Sequence, residues 1–265
     1  MTDWISSICE TNCINTHYLR TGGNKPPLIL LHGLMANGAC WTDVAQALED
    51  EYDVIMPDAR GHGKSSVPHE GYQYETLAND VVDLIEALRL SFPIVMGHSM
   101  GGMTAALLAS QKRKPLRGII LADPPFLSPE VQREVYEGDT IEQQRQFLSR
   151  SFDDILTDAK ERQPHRSLDI LKRVNQARYQ TSLAPFEILK PPNPDYTQLV
   201  RNIDVESLLV IADKGIISEK MADELKSLNP KLEVGMITEA GHGLHYDQPE
   251  QFAAVVQSFL RSILH

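Results

Sequence analysis

The sequence predicts an α/β domain: a mostly parallel sheet covered by helices on both faces, with one all-helical insertion. Three observations carry this. Short continuous apolar runs recur along the chain, among them Leu28-Ile29-Leu30-Leu31, Leu116 to Ala122 and Leu208-Leu209-Val210-Ile211; unbroken apolarity of that length fits strands buried on both faces. Segments between the runs space their apolar residues as helices do, so strand and helix alternate, and alternation builds a parallel sheet. From about Leu127 to Ile203 the runs stop, while Gln, Glu, Arg and Asp alternate with apolar residues at short helical spacing.

The elements follow in order. Ile5 to Leu19 alternates weakly around Asn12 and reads as two short antiparallel strands joined by a turn. Gly22-Gly23-Asn24-Lys25-Pro26-Pro27 is a loop by composition, and Leu28 to Leu31 is the next strand, closed by His32-Gly33-Leu34. Trp41 to Leu48 has helical spacing, and Tyr52 to Met56 is a strand ending at Pro57-Asp58. The glycines of Ala59-Arg60-Gly61-His62-Gly63-Lys64-Ser65-Ser66 do not form G-x-G-x-x-G ahead of a helix, which argues against a dinucleotide site. Leu77, Val81, Leu84, Ile85 and Leu88 define an amphipathic helix. Phe92, Ile94, Val95 and Met96 form a buried strand leading to Ser99, and Thr104 to Ala109 is the small-residue helix after it. Leu116 to Ala122 ends at Asp123-Pro124-Pro125; beyond the insertion come strands at Leu208 to Ile211 and Leu232 to Ile237. The last helix follows Pro249, with Phe252, Val255, Val256, Phe259 and Leu260 on one face.

Composition narrows the class of function. A formal net charge of −11 over 265 residues, with Lys and Arg scattered, opposes a nucleic-acid partner. Three cysteines are too few for a disulfide framework, and nothing near Cys9 and Cys13 completes a metal-ligand set. The start, Met1-Thr2-Asp3-Trp4, has neither a basic n-region nor a long apolar h-region, and no apolar run reaches membrane-spanning length. The expectation is a cytoplasmic protein, monomer or homodimer, acting on a small molecule without membrane, metal or organic cofactor.

Gly97-His98-Ser99-Met100-Gly101 reads G-x-S-x-G between a strand and a helix. In that context a sharp turn lifts the serine hydroxyl above the sheet, and side chains at the flanking glycines would clash with the neighbouring strand or helix. Serine is a weak nucleophile until a base within hydrogen-bond reach takes its proton, and imidazole suits that task. His242, in Ala240-Gly241-His242, lies between the last strand and the last helix, with His245 as a near alternative.

Leu30-Leu31-His32-Gly33, Asp58 to Ser65, Gly97 to Gly102 and Ala240-Gly241-His242, in this order, resemble the α/β-hydrolase superfamily over nearly the whole chain. The resemblance implies an eight-stranded, mostly parallel sheet as the core (residues 1–126 and 204–265), with a helical cap at 127–203. It implies Ser99 as nucleophile, His242 as base, and the backbone amides of Met100 and Leu34 as oxyanion donors. The acid departs from the usual pattern. Most members carry it after the strand matching Leu208 to Ile211, where this chain reads Ala212-Asp213-Lys214-Gly215 and places Gly215 at the expected position. Some members carry it one strand earlier, including hydrolases of formylated or acetylated enamides, and Asp123 occupies that place. Asp123 is therefore expected as the acid, with Asp213 as the alternative. His32, Arg60 and His62 are expected to brace loops. Trp41, Phe126, Tyr179 and His245 are expected pocket walls, and Arg145, Arg150, Arg166, Arg173 and Arg178 of the cap are candidates for a substrate carboxylate, each against the plainer reading of a solvated helix face. The expected chemistry is acyl-enzyme hydrolysis of a small ester or lactone, with amide, enamide or C–C hydrolysis as alternatives. A binding protein with a vestigial triad is the reading from a different class.

Overall fold

The computed structural model describes residues 4–264. Met1-Thr2-Asp3, the start of the segment read above as lacking a leader pattern, lie outside the described residues. Strands β1 (Ile5–Thr11), β2 (Ile14–Arg20), β3 (Pro27–Leu31), β4 (Asp53–Pro57), β5 (Ile94–His98), β6 (Gly118–Ala122), β7 (Glu206–Lys214) and β8 (Leu232–Gly241) form one sheet. Their spatial order is β1-β2-β4-β3-β5-β6-β7-β8. The β1–β2 hairpin and the β2–β4 pair are antiparallel and all later pairs parallel, as expected from the alternating pattern.

Side chains of a strand alternate between faces, and both faces here are covered. Leu28 and Leu30 of β3 point to the layer of α1 (Thr42–Leu48) and α11 (Pro249–Leu264), meeting Val44, Leu48, Phe252, Val256 and Phe259. Ile29 and Leu31 point to the opposite layer, built by α2 (Tyr74–Ala87) and α3 (Met100–Ser110) through Leu77, Val81, Leu84, Ala105 and Leu108. Helix α3 is buried nearly all round, which explains its small residues: it has sheet on one side and other helices on the rest.

Residues 127–203 contain helices only, among them α4 (Pro129–Glu137), α5 (Thr140–Leu148), α6 (Phe152–Arg162), α7 (Leu168–Tyr179) and α8 (Tyr196–Asn202). Several start at a side-chain cap. Ser128, Ser151 and Ser167 accept from the amides of Val131, Asp154 and Ile170, and Asp195 accepts from Thr197 and Gln198. Each such cap satisfies an orphan N–H and contributes about 1 kcal/mol. α8 packs on α3 and places Leu199 and Val200 in the core. Helix α9 (Glu219–Leu228) connects β7 to β8.

Two local expectations change. Phe92 is not part of β5: Pro93 follows it, its φ is 48°, and its ring is 52% exposed. Trp41 does not open a helix; it ends a 3-10 turn (Gly38–Trp41) ahead of α1.

Candidate active site

Ser99 sits between β5 and α3 with φ 51° and ψ −120°. This backbone is costly for a residue with a side chain, by about 1–3 kcal/mol, and persists only where its surroundings hold it. Here the Ser99 amide donates to the Ala122 carbonyl at 3.0 Å, and its carbonyl accepts from the Met103 amide at 3.0 Å. Close approach enforces the glycines. A Cβ on Gly97 would stand 2.1 Å from the Gly101 carbonyl oxygen, and one on Gly101 would stand 2.2 Å from that of Leu31.

His242 follows β8. Its Nε2 is 2.9 Å from Ser99 Oγ and its Nδ1 is 2.7 Å from Asp123 Oδ2. A carboxylate only accepts, so the ring proton is assigned to Nδ1, and Nε2 accepts from the Ser99 hydroxyl. The Asp123 side chain is fully buried, whereas that of His242 is 41% exposed, which leaves the imidazole open to the cavity. Asp123 has φ 41° at the end of β6. Its carboxylate accepts from the amides of Ile216 (2.9 Å) and Ile217 (3.0 Å).

The missing side chain at Gly215 has a geometric counterpart. A Cβ there would lie 2.8 Å from both carboxylate oxygens of Asp123. The Asp123 carboxylate at the end of β6 thus fills the space beside the backbone that a side chain after β7 would need. Asp213 sits in the bulge where the β7–β8 register shifts, and its oxygens accept from the amides of Glu239 (3.0 Å) and Ala240 (2.9 Å). Those backbone donors, Ala240 foremost, hold its carboxyl below the usual range. It braces β8 rather than facing His242.

The amides of Met100, first in α3, and Leu34, after His32-Gly33, belong to residues bordering the Ser99 cavity. The first amides of a helix have no intrahelical acceptor, so Met100 offers a donor beside Ser99. His32 donates from Nδ1 to the Gly33 carbonyl at 2.8 Å and accepts at Nε2 from the Ala59 amide at 2.9 Å, tying this turn to the loop after β4. In that loop Arg60 grips Asp80 through Nε at 2.7 Å and a terminal nitrogen at 2.6 Å, and His62 donates to the Arg60 carbonyl at 2.9 Å.

The cavity over Ser99 and His242 measures ≈ 500 Å³, within the ordinary range for a small-molecule site. The helical insertion supplies apolar walls (Leu127, Val135, Val174, Ile188, Leu189) and polar groups including Gln132, Asn193, Arg166 and Arg178.

The four expected aromatic or imidazole walls lie elsewhere. Trp41 is fully buried in the α1–α11 layer, and His245 stacks on it at 4.3 Å between ring centroids. Phe126 is buried in the opposite layer against Tyr196. Tyr179 is 39% exposed, and its hydroxyl bonds the carbonyls of Leu148 and Arg150. The aromatic residues bordering the cavity are Tyr74 and Tyr246. Tyr246 follows His245 on the short helix α10 (Leu244–Asp247), and nothing in sequence spacing says which of the two faces the cavity.

His98, the variable residue of G-x-S-x-G, has a role the sequence reading did not assign. It is buried, and its Nε2 donates to the His242 carbonyl at 2.8 Å, fixing the loop that carries His242. Burial, then the neighbouring His242, pushes its pKa down to about 3, so the ring is neutral. Among the described residues, no group of three or more His, Cys, Asp or Glu side chains is placed to hold a metal ion, and no helix is long and apolar enough to cross a membrane.

The chain is 29% identical to N-formylmaleamate deformylase of Pseudomonas putida, spanning 95% of this chain and 94% of that protein. It is 24% identical to 2-(acetamidomethylene)succinate hydrolase of Mesorhizobium japonicum, spanning 91% and 90%. Its fold superposes on the enol-lactonase of Burkholderia xenovorans with a TM-score of 0.80 at 23% identity, covering 96% and 100% of the two chains. Residues 26–249 match the family described as alpha/beta hydrolase fold, and with the elbow, sheet order and loop positions above, the chain belongs to that family.

Proposed function

We propose that this protein is a serine hydrolase that cleaves a small carboxylic acid derivative through an acyl-enzyme. The observation that carries the reading is the continuous hydrogen-bonded relay Ser99–His242–Asp123, opening into the ≈ 500 Å³ cavity. Ser99 Oγ attacks the substrate carbonyl while His242 Nε2 takes its proton. The oxyanion forms beside the amides of Leu34 and Met100. His242 returns the proton to the leaving group as the acyl bond breaks. A water, deprotonated by His242, then attacks the acyl-enzyme and releases the acid and free Ser99. Asp123 holds the tautomer that leaves Nε2 unprotonated and stabilises the imidazolium. No metal or organic cofactor enters these steps.

An ester or lactone is the first substrate reading, because the tetrahedral adduct on Ser99 needs only the proton carried by His242 to expel an alcohol and leave the acyl-enzyme. An enamide-type C–N bond is the second. It is favoured by two relatives matched over nearly their whole length, one named as a deformylase of N-formylmaleamate and the other as a hydrolase of 2-(acetamidomethylene)succinate.

Hydrolysis measured across p-nitrophenyl esters, lactones and N-acyl enamides, with Ser99→Ala as the blank, tests the reading. A fluorophosphonate probe is expected to label wild type at Ser99, and Ser99→Ala is expected to lose about 10⁴-fold or more in kcat on whichever class is cleaved. A folded wild-type chain that neither labels nor turns over any class would instead be a small-molecule binder on this fold.

A further inference from the structure

In a chain of net charge −11, the residues lining the Ser99 cavity include two arginines, Arg166 and Arg178, and no aspartate or glutamate. The two differ in what they already hold. Arg166 donates from Nε to Asp247 at 2.7 Å, with a second nitrogen also 2.7 Å from the same oxygen, and it bonds Gln163 at 3.0 Å. Arg145, Arg150 and Arg173 of the insertion pair with Glu142, Asp158 and Asp43. Arg178 has no carboxylate partner among the described residues; the charge that acts on it is that of a second cation, Arg162.

Arg178 is nonetheless held firmly. Its Nε donates to Gln144 Oε1 at 2.9 Å, and its guanidinium lies 4.1 Å from the centre of the Phe147 ring. Gln144 is completely buried, and its Nε2 donates to the carbonyls of Arg178 (3.1 Å) and Thr181 (3.2 Å). With its amide nitrogen committed, Gln144 can turn only its oxygen to the arginine. One edge and one face of the guanidinium are thereby fixed, and the two terminal nitrogens remain as a planar fork, the shape that matches a carboxylate through two parallel bonds. Partial burial of this cation, with Arg162 as a like charge nearby, lowers its pKa; a bound anion would offset that cost.

We infer that Arg178 binds a free carboxylate of the substrate, so the molecule cleaved is an anionic acyl compound with a carboxylate separate from the scissile bond. The inference rests on the proposed hydrolase reading for the word substrate, but the anion site stands on Arg178 and Gln144 alone.

The kinetic test compares mono-p-nitrophenyl succinate with its methyl ester. Wild type should favour the carboxylated ester in kcat/KM by about tenfold or more. Arg178→Gln should bring the ratio close to one, chiefly through KM, and Arg178→Lys should recover part of it. An unchanged ratio in Arg178→Gln, or no preference in wild type, overturns the inference. The second measurement needs neither turnover nor an Arg178 variant. In Ser99→Ala protein, modification of arginine by phenylglyoxal is mapped by peptide mass with succinate or dimethyl succinate present. Protection of Arg178 by succinate alone supports the anion site even if hydrolysis is never seen. Equal modification of Arg178 under both conditions, or protection confined to Arg166, overturns it.

Discussion

Gly215 and Asp123 are one feature seen from two strands. The Asp123 carboxylate lies where a side chain at position 215, just after β7, would begin, and three contacts from the Ile216 and Ile217 amides keep it there. Gly215→Ala should therefore push against a carboxylate with no room to retreat. Displacing the acid by a fraction of an ångström misaligns His242, and we expect kcat to fall about 10- to 100-fold with the far-UV CD spectrum unchanged. Asp123→Asn keeps the volume but places a donor against Nδ1, which favours the wrong tautomer. A loss of about 10⁴ in kcat is expected, the scale known for that substitution in a serine-protease triad. Asp213→Asn keeps one of the two acceptor oxygens that hold the β8 amides and loses the other, a local change away from His242 that should alter kcat by less than about twofold. Steady-state kinetics of the three variants distinguish the two acids: a large loss in Asp213→Asn with Asp123→Asn active would reverse the assignment.

The elbow depends on three strands and one helix meeting at backbone distance. Gly101→Ala would drive a methyl group to 2.2 Å from the Leu31 carbonyl oxygen, and neither β3 nor α3 can yield alone because both are buried on every side. A destabilisation of about 3 kcal/mol or more is expected, read as a lowered urea midpoint, together with loss of probe labelling at Ser99. Elements of this kind were legible in the sequence because their periods are strict. Unbroken apolar runs marked the buried strands, and the 3.6-residue spacing at Leu77, Val81, Leu84 and Ile85 marked α2. The pairing of G-x-S-x-G with a late Gly-His pointed to two residues that the structure brings to 2.9 Å. Trp41, Phe126, Tyr179 and His245 were not legible. A large aromatic side chain suits a core and a cavity wall equally well, and only three-dimensional packing decides between them. Gln144 escaped notice for the opposite reason: a glutamine on a polar helix reads as solvated, yet this one is fully buried against Arg178.

Four buried histidines lie around the Ser99–His242–Asp123 relay, and burial lowers the pKa of each, which ties folding stability to pH. His32, His62, His98 and His245 are all at most 6% exposed. Burial is the first cause lowering each pKa: to about 3 for His62 and His98, and well below the ordinary value for His245. In the unfolded chain each ring titrates near about 6.5. Above that pH neither state holds the proton, and the full stability is present. As pH falls below it, the unfolded chain takes up protons that the folded chain refuses, and stability declines until about 3, where the folded His62 and His98 begin to protonate. Between about pH 7.5 and 5.5 the His62 and His98 rings cost about 1.4 kcal/mol each, so the two together cost roughly 3 kcal/mol, and His32 and His245 add to the loss in the same direction. Urea unfolding at the two pH values should show that loss as a lower midpoint. His245→Phe should recover part of it: the ring still stacks on Trp41, and Nδ1 of His245 has no hydrogen-bond partner among the described residues to forfeit. A midpoint that does not move with pH, or a loss equally large in His245→Phe, would mean that these rings are not held neutral by the fold.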